Sequence, residues 1–359
     1  MTRPHRYEGK PPTMTTTTAA LRTLTDDYAT VRTSVGAYRI DAPLVRLTGD
    51  DRLSFLDALL AKSADFVEPD TVREALALHD DGTPFAVLLH CEVGEESWLL
   101  PRTPITAGEL RGHLDGLEVP PGVTVEFEPE GWGATAFEGP DAWSVAAALV
   151  DFDISGLPLH AVTEAAVPGA PTAVAHLARV GTTGEYGYLL LSDTPETAYG
   201  AVLAAVREQG GHPVGREGLD RVRAEAGMAT CAAGFLGLTV DRADLSWMVD
   251  WDRLGEFRGS GGLTRPAADG PRLTVLTASP GSRFAAGAEV TAAGEAVGTV
   301  LWQAPCANED EELVLALLDA PFWVPGLDLA AEDEQASRRP LSTVTLPRVV
   351  ARSLTTRIS

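Results

Sequence analysis

The sequence has little cysteine and no long apolar run, and each shortage argues against a class of protein. Its three cysteines among 359 residues, Cys91, Cys231 and Cys306, are far apart and form no C-x-x-C pair. Neither a disulfide framework nor a structural zinc site is therefore expected. No apolar stretch reaches the roughly 18–20 residues that a membrane span needs. These shortages favour a soluble protein of the reducing cytoplasm, with no metal ion and no membrane partner.

Positive charge is also scarce. The chain has 28 lysines and arginines against 51 aspartates and glutamates, which gives a formal net charge of −23, and only Lys10 and Lys62 are lysine. No basic face of the kind that binds phosphates is visible, so a nucleic-acid partner is disfavoured. The acidic residues are spread along the whole chain, as on a solvated surface. The composition therefore argues against a nucleic-acid partner and leaves the nature of the substrate open.

The length of the chain predicts two or three packed units. Residues 1–30 begin with a proline- and threonine-rich stretch that lacks an apolar signal-peptide core, and they are predicted to be a disordered leader. Residues 31–265 are predicted to form an α+β region of two interleaved subdomains, approximately 31–130 and 131–265. Short strands with turns between them, after a glycine-rich linker, predict a C-terminal β-barrel over residues 271–350.

One local pattern occurs twice. A strand-like segment is followed by Gly49-Asp50-Asp51 and a helical segment, and another is followed by Gly139-Pro140-Asp141 and a helical segment. Asp50 is predicted to cap the first of these helices. The two copies predict a duplicated core with pseudo-symmetric halves.

Two further segments carry a resemblance to a known family. Arg179 to Tyr188 is R-V-G-T-T-G-E-Y-G-Y, and its glycines predict a tight hairpin whose tip faces a ligand. Gly218 to Gly227 is G-L-D-R-V-R-A-E-A-G and predicts a helix. They resemble the R-T-G-Y-T-G-E-D-G-Y/F and L-R-L-E-A-G signatures of the aminomethyltransferase (glycine-cleavage T-protein) family. With an L-x-W-x-V match at residues 245–249, the resemblance covers roughly residues 35–350.

The resemblance implies a fold that binds tetrahydrofolate and a transferase of one-carbon groups. In the family the hairpin glutamate hydrogen-bonds the amino-pyrimidine edge of folate, and Glu185 is the matching residue; a carboxylate can accept two parallel N–H bonds. The alternative is a surface glutamate in a turn. Arg223 matches an arginine that contacts folate, whose carboxylates suit a guanidinium. Its alternative is an ion pair with Asp220 on the same helix face.

Two aromatic residues complete the cofactor-binding set that the resemblance implies. Trp247 matches a tryptophan that lies against folate, and a core position is its alternative. Tyr188 closes the hairpin motif.

The catalytic loop departs from the family pattern. The family has an aspartate pair after L-N-x-x-G-G, but alignment on Gly82 places Ala86 and Val87 there, and neither can transfer a proton. The predicted catalytic residues are Asp81 and the histidines His79 and His90 that flank this segment, because these groups can act as acid or base. The alternatives are that Asp81 is a turn residue and that the histidines are structural.

Three functions remain open from the sequence. The first is a tetrahydrofolate-dependent transferase of a methyl, methylene or aminomethyl group, acting on a small molecule of specialised metabolism. The second is a non-catalytic or auxiliary folate-binding protein, and the third is a scaffold that now catalyses a folate-independent biosynthetic reaction. Ala86 and Thr182, which stands for the motif tyrosine, motivate the last two. The acidic surface disfavours docking to an acidic lipoyl carrier protein, although a local patch could permit it.

Overall fold

The computed structural model describes residues 18–65, 67–265, 269–306 and 310–358. Its strands are β1 (Gly36–Ile40), β2 (Val45–Thr48), β3 (Thr71–Leu78), β4 (Pro84–Val93), β5 (Glu96–Pro101), β6 (Thr124–Phe127), β7 (Gly133–Glu138), β8 (Val162–Glu164), β9 (Ala175–Ala178), β10 (Gly187–Ser192), β11 (His212–Pro213), β12 (Arg272–Ala278), β13 (Glu289–Ala292), β14 (Glu295–Gln303), β15 (Glu312–Leu318), β16 (Asp328–Glu332) and β17 (Arg338–Thr343). Its α-helices are α1 (Thr18–Thr33), α2 (Arg52–Leu59), α3 (Ala107–Leu114), α4 (Ala142–Ala147), α5 (Pro195–Glu208), α6 (Arg216–Ala226) and α7 (Ala229–Ala233).

Three β-structures organise the chain. The first sheet has the order β3-β4-β5-β2-β6, the second has the order β11-β1-β7-β10-β9-β8, and β12 to β17 close into a barrel. The prediction of an α+β fold with a C-terminal β-barrel is confirmed. The strand β1 pairs only with β11 and β7 of the second sheet, so the first sheet is inserted between two parts of the second.

The two sheets share a local plan. In each, a hairpin (β4-β5 or β9-β10) lies beside the strand that precedes a Gly-x-Asp turn. Both turn glycines, Gly49 and Gly139, have a positive φ, and a Cβ on either would lie 2.2 Å from a backbone oxygen. This close approach explains why both copies need glycine. Asp51 and Asp141 occupy the two N-cap positions without a capping hydrogen bond, so the assignment of the first cap to Asp50 was wrong by one residue.

The helix α1 corrects the prediction for the leader. Residues 18–30 were expected to be disordered, but they belong to α1, which buries Leu24 and Val31 and packs against α6. Burial of an apolar helix face stabilises the helix beyond what the local sequence indicates. Residues 1–17 of the predicted leader lie outside the described residues.

The apolar side chains form layers. One cluster joins α2 and α3 to the outer face of the first sheet, and another joins α4 and α5 to the outer face of the second. A third cluster lies between the sheets, where Leu89 and Leu100 of the first meet Ala136 and Leu189 of the second. The inner faces of the sheets therefore enclose the centre of the molecule. Within the described residues, no helix combines the length and apolar composition needed to cross a bilayer.

Candidate functional site

A cavity of about 660 Å³ lies between the inner faces of the two sheets. Leu89 and Leu100 line it from the first sheet, and Ala136 and Leu189 line it from the second. This volume falls within the range of roughly 300–1,000 Å³ typical of small-molecule sites. The cavity is therefore the natural place for a ligand.

The buried carboxylate of Glu138 organises the polar wall of the cavity. Its Oε1 accepts hydrogen bonds from the hydroxyls of Tyr38 (2.6 Å) and Thr182 (2.8 Å). Its Oε2 accepts from the backbone N–H groups of Thr182 (2.7 Å) and Thr183 (2.9 Å), and from the Thr183 hydroxyl (2.8 Å). Five donors thus hold one carboxylate, which is only 1% exposed.

Glu138, Tyr38 and Arg223 influence one another's ionisation. Burial alone raises the pKa of Glu138, but the hydrogen bond from Tyr38, the charge of Arg223 and the backbone donors outweigh it, and the net pKa is lowered. Burial and then the nearby Glu138 charge raise the pKa of Tyr38. Burial lowers the pKa of Arg223, but the influence of Tyr38 and Glu138 prevails and the net pKa is raised. Glu138 is therefore ionised and Tyr38 neutral near pH 7.

The glycines of the predicted hairpin motif allow this turn to approach Glu138. A Cβ on Gly187 would lie 2.4 Å from the Cα of Gly181, and a Cβ on Gly181 would lie 2.8 Å from Oε2 of Glu138. Larger residues would push the two chain segments apart. The motif is thus needed for the packing of the turn on the cavity wall.

Arg102 and Thr103 form another polar part of the wall. Nη1 of Arg102 donates to the carbonyl of Gly181 (2.9 Å), and its Nε lies 3.3 Å from Oε1 of Glu74. Thr103 is 3% exposed, and its Oγ1 has no hydrogen-bond partner among the described residues. A buried hydroxyl without a partner costs free energy unless a ligand or water satisfies it.

The charge of the lining differs from that of the whole chain. Four arginines, Arg39, Arg102, Arg216 and Arg223, line the cavity, against the two carboxylates of Asp41 and Glu138. No histidine is among the described residues that line it. A positive excess in a chain with a net charge of −23 favours an anionic ligand group.

Arg223 is the predicted cofactor residue that lines the cavity. Its Nε donates to Oγ1 of Thr182 (3.1 Å) and its Nη2 donates to the Tyr38 hydroxyl (3.2 Å). Its Nη1 also lies 3.6 Å from Oδ1 of Asp220, so the ion pair considered from the sequence involves a side chain that lines the cavity. The helix α6 thus holds Arg223 against the cavity wall.

The other predicted cofactor residues lie away from the lining. The Glu185 side chain is fully buried against Arg32 and the C-terminal residues Arg352 and Ser353. Tyr188 is fully buried in the apolar cluster behind the second sheet, where burial raises its pKa to about 12. Trp247 is 60% exposed, and Nζ of Lys62 lies 5.3 Å from its ring centroid. These three side chains were expected to contact a ligand, but they contact other parts of the chain and do not line the cavity.

The three predicted catalytic residues also lie outside the lining. His79 and Asp81 belong to the exposed β3–β4 turn, where Asp81 accepts bonds from the backbone N–H (3.0 Å) and the hydroxyl (2.6 Å) of Thr83. His90 is fully buried, and its Nε2 lies 3.1 Å from Oε2 of Glu92. Burial lowers the pKa of His90. Asp81 thus lies in a turn, His79 is exposed and His90 is buried beside Glu92, and none of the three lines the cavity.

The positions aligned with the family aspartates are apolar and buried. Ala86 belongs to the cluster on the outer face of the first sheet, and Val87 to a cluster near the barrel. Leu89, two residues after Val87, is the β4 residue that lines the cavity. The first sheet therefore presents no carboxylate to the cavity from β4.

Sequence reasoning missed most polar residues of the wall, among them Tyr38, Arg102 and Glu138. Tyr38 and Glu138 are 100 positions apart in the chain and meet because β1 pairs with β7, and Arg102 follows the end of β5 in the other sheet. One signal was available. Glu138 is a charged residue at the end of an apolar strand, directly before the Gly139 turn, and a buried charge needs partners.

The fold and the site define a class of protein with two pseudo-symmetric sheets around a ligand cavity and a C-terminal barrel. The family model described as "GCVT N-terminal domain" matches residues 1–253. The chain therefore belongs to the GCVT family of aminomethyltransferase-like proteins. It is 27% identical over 332 residues to an aminomethyltransferase of Streptomyces coelicolor, covering 90% of this chain and 88% of that one.

Two other comparisons agree with this assignment. An aminomethyltransferase of Herpetosiphon aurantiacus is 32% identical over 255 residues, which cover 67% of this chain and 66% of that one. The solved glycine cleavage system aminomethyltransferase T from Bartonella henselae superposes with a TM-score of 0.74 at 20% identity, covering 92% of this chain and 90% of the other. At that identity the structural likeness supports the fold alone.

Proposed function

We propose that this protein is a tetrahydrofolate-dependent transferase of one-carbon groups that acts on a small molecule. Membership of the family makes a transferase the expected class. The observation that carries the proposal is the cavity between the sheets. Its wall contains Arg223, which is hydrogen-bonded to Thr182 and Tyr38, together with apolar side chains such as Leu89 and Leu189.

The lining fits tetrahydrofolate in three respects. The volume of about 660 Å³ suits a cofactor of this size, and Leu89, Leu100 and Leu189 suit a flat ring system. The unpartnered hydroxyl of Thr103 suits a polar ring edge. The excess of arginine suits the carboxylates of the glutamyl group.

Different residues would serve these different parts of the cofactor. Arg223 and Arg102 would attract its anionic groups, and Thr103 would donate to or accept from its polar edge. Glu138 would act indirectly, because its five hydrogen bonds fix Tyr38 and the 181–183 turn. When bound, tetrahydrofolate supplies the nitrogen that accepts or donates the one-carbon group.

The lining also limits the kind of transfer. Glu138 is fully hydrogen-bonded, and Ala86 and Val87 do not reach the cavity, so the wall provides little general-base capacity. Transfer from an already activated donor needs little proton management by the protein. We therefore favour methyl transfer with an activated small molecule, in which orientation by the cavity supplies much of the rate enhancement.

The test is calorimetric titration of tetrahydrofolate and 5-methyltetrahydrofolate into the wild type, Arg223→Ala and Thr103→Val. We expect micromolar binding by the wild type, a loss of roughly 30- to 150-fold in Arg223→Ala, and about a fivefold loss in Thr103→Val. Arg265→Ala is the matched control, because this exposed arginine lies outside the cavity lining and its pair with the exposed Asp252 (4.0 Å) should contribute little to stability or binding. Failure of the wild type to bind either folate would reject the proposal.

A second function, folate binding without turnover, is favoured by the same scarcity of free acid and base groups in the wall. The exposed Asp41 is the one lining carboxylate apart from Glu138 among the described residues. Single-turnover measurements with methyl donors separate the two functions. Binding without any transfer over many hours would favour the second.

A further inference from the structure

Residues 344–358 connect the barrel to the second sheet, and we call them the C-terminal strap. It leaves β17 with the Val344 N–H bonded to the carbonyl of Val275 (3.1 Å) in the barrel, and the Arg348 N–H then donates to the carbonyl of Glu225 (2.7 Å) in α6. At its far end, Ile358 packs against the apolar cluster behind the second sheet.

The strap occupies the carboxylate of Glu185. The backbone N–H of Arg352 donates to Oε1 (3.2 Å), and the N–H of Ser353 donates to Oε2 (2.9 Å). The Ser353 hydroxyl also donates to Oε2 (2.5 Å) and accepts from the N–H of Tyr186 (2.8 Å). Two adjacent N–H groups facing two carboxylate oxygens form the kind of paired contact that the resemblance assigned to a folate edge.

The turn that carries Glu185 also forms part of the cavity wall. Thr182, three residues earlier, bonds Glu138 and receives a hydrogen bond from Arg223. Arg32 links Thr183 to Glu185 within the turn, because it donates to the carbonyl of Thr183 (2.9 Å) and pairs with Glu185 (3.4 Å). The turn thus has the strap on one side and the cavity on the other.

We propose that Glu185 is a positioning residue, and that docking of the strap on it fixes the turn whose Thr182 lines the cavity and accepts the hydrogen bond from Arg223 of α6. The contact between the strap and Glu185 does not depend on which ligand binds. Only the expected change in tetrahydrofolate affinity rests on the proposed function. Because coupling between two sites is reciprocal, a bound ligand in turn holds the strap more firmly.

The main test compares Ser353→Ala with Thr355→Ala by hydrogen exchange and by titration with tetrahydrofolate. Thr355 is a matched control, because its hydroxyl bonds only the nearby carbonyl of Arg352. We expect Ser353→Ala to accelerate exchange in residues 350–358 and also in residues 181–186 of the free protein. We expect it to weaken tetrahydrofolate binding about fivefold or more, whereas Thr355→Ala changes none of these quantities.

The direction of the change in affinity separates two roles of Glu185. If Glu185 contacted the ligand directly, the strap would compete with it, and Ser353→Ala would bind tetrahydrofolate more tightly than the wild type does. Tighter binding would therefore overturn the proposal. If the wild type binds no folate, the proposed function fails, and exchange in the turn of the free protein still decides whether strap and turn are coupled.

Glu185→Gln provides a second variant, because it weakens the acceptor for both strap N–H groups. Faster exchange in the strap with an unchanged rate in residues 181–186 would contradict the coupling. Unchanged exchange in the strap of both Ser353→Ala and Glu185→Gln would show that Glu185 is not its anchor.

Discussion

The hydroxyl of Tyr38 lies 2.6 Å from Oε1 of Glu138 and 3.2 Å from Nη2 of Arg223, so one phenol joins a buried carboxylate to a cavity arginine. Tyr38 and Glu138 come from the neighbouring strands β1 and β7, and Arg223 comes from α6. The phenol therefore holds Arg223 in position and stabilises the ionised form of Glu138.

Removal of this hydroxyl should affect stability and ligand binding together. Tyr38→Phe leaves the buried Glu138 with one donor fewer and should lower the free energy of unfolding by about 1–3 kcal/mol. Urea denaturation measures this loss, and titration should show weaker folate binding. Tyr199→Phe at the cavity rim is the control, since the ring of Tyr199 contacts Arg39 through its face. Equal stabilities of Tyr38→Phe and the wild type would contradict the assigned role.

The close approach of the backbone at Gly181 and Gly187 leads to another prediction. Gly187→Ala places a Cβ 2.4 Å from the Cα of Gly181, and the resulting shift should cost about 1–3 kcal/mol. Gly200→Ala in α5 meets no atom within 4 Å and should stabilise the helix by roughly 0.5–1 kcal/mol. Thermal unfolding of both variants checks the contrast. Two changes of the same sign would argue against the close approach.

Restoring the family aspartate should not restore a catalytic group. Ala86→Asp buries a carboxylate in the apolar cluster with α2 and α3, and should cost about 3–5 kcal/mol, as for an uncompensated buried charge. Leu89 faces the cavity, as Arg102 does, so Leu89→Asp should lower the free energy of unfolding by less than Ala86→Asp does. Denaturation midpoints of the two variants test this order. A stable Ala86→Asp protein with faster one-carbon transfer would show that position 86 does reach the site.

The pH dependence of stability should include a contribution from His113. Burial, and then the charge of Arg258, lower its pKa from 6.5 to about 4, while its ring stacks on Phe85 at 3.9 Å. A lowered pKa in the folded state means that the unfolded chain binds the proton more tightly. The stabilisation is therefore complete above pH 6.5 and is lost as the pH falls towards 4.

Urea denaturation at pH 7.5 and pH 5.5 measures this contribution. His113→Phe keeps the stacking on Phe85 and removes the titration, so its stability should fall by about 1 kcal/mol less than that of the wild type between these two pH values. The histidines His90 and His176, whose pKa values burial also lowers, remain in both proteins and cancel in the comparison. Identical pH dependence in the two proteins would exclude the contribution of His113.

Local patterns in the sequence predicted much of the secondary structure. The strands expected after the glycine-rich linker match β12 to β17 of the barrel, and the helix expected over residues 218–227 matches α6. Turn residues between these strands and Gly227 at the end of the helix are clear local signals. The strands β1 and β3 carry weaker signals, because their charged residues, such as Arg73 and Glu74, interrupt the alternation.

The residues of the candidate site were harder to predict from the sequence. Arg223 was placed by a motif, and the structure puts it on the cavity. Glu185 lies in an equally clear motif, yet the strap more than 160 residues later provides its partners. A motif indicates that a side chain is constrained, but long-range contacts decide whether the constraint comes from a ligand or from the chain itself.

The pairing of β1 with β7 and β11 decides how the protein can be dissected. A fragment beginning at residue 131 would contain most of the second sheet but would lack β1, leaving the edges of β7 and β11 without their partner. The first sheet, by contrast, begins and ends within residues 45–127, but its inner face shares an apolar cluster with the second sheet, and Thr71 forms a bridge with Ala161. No single cut in the chain therefore separates the two sheets, because the second is discontinuous in sequence and the first is buried against it.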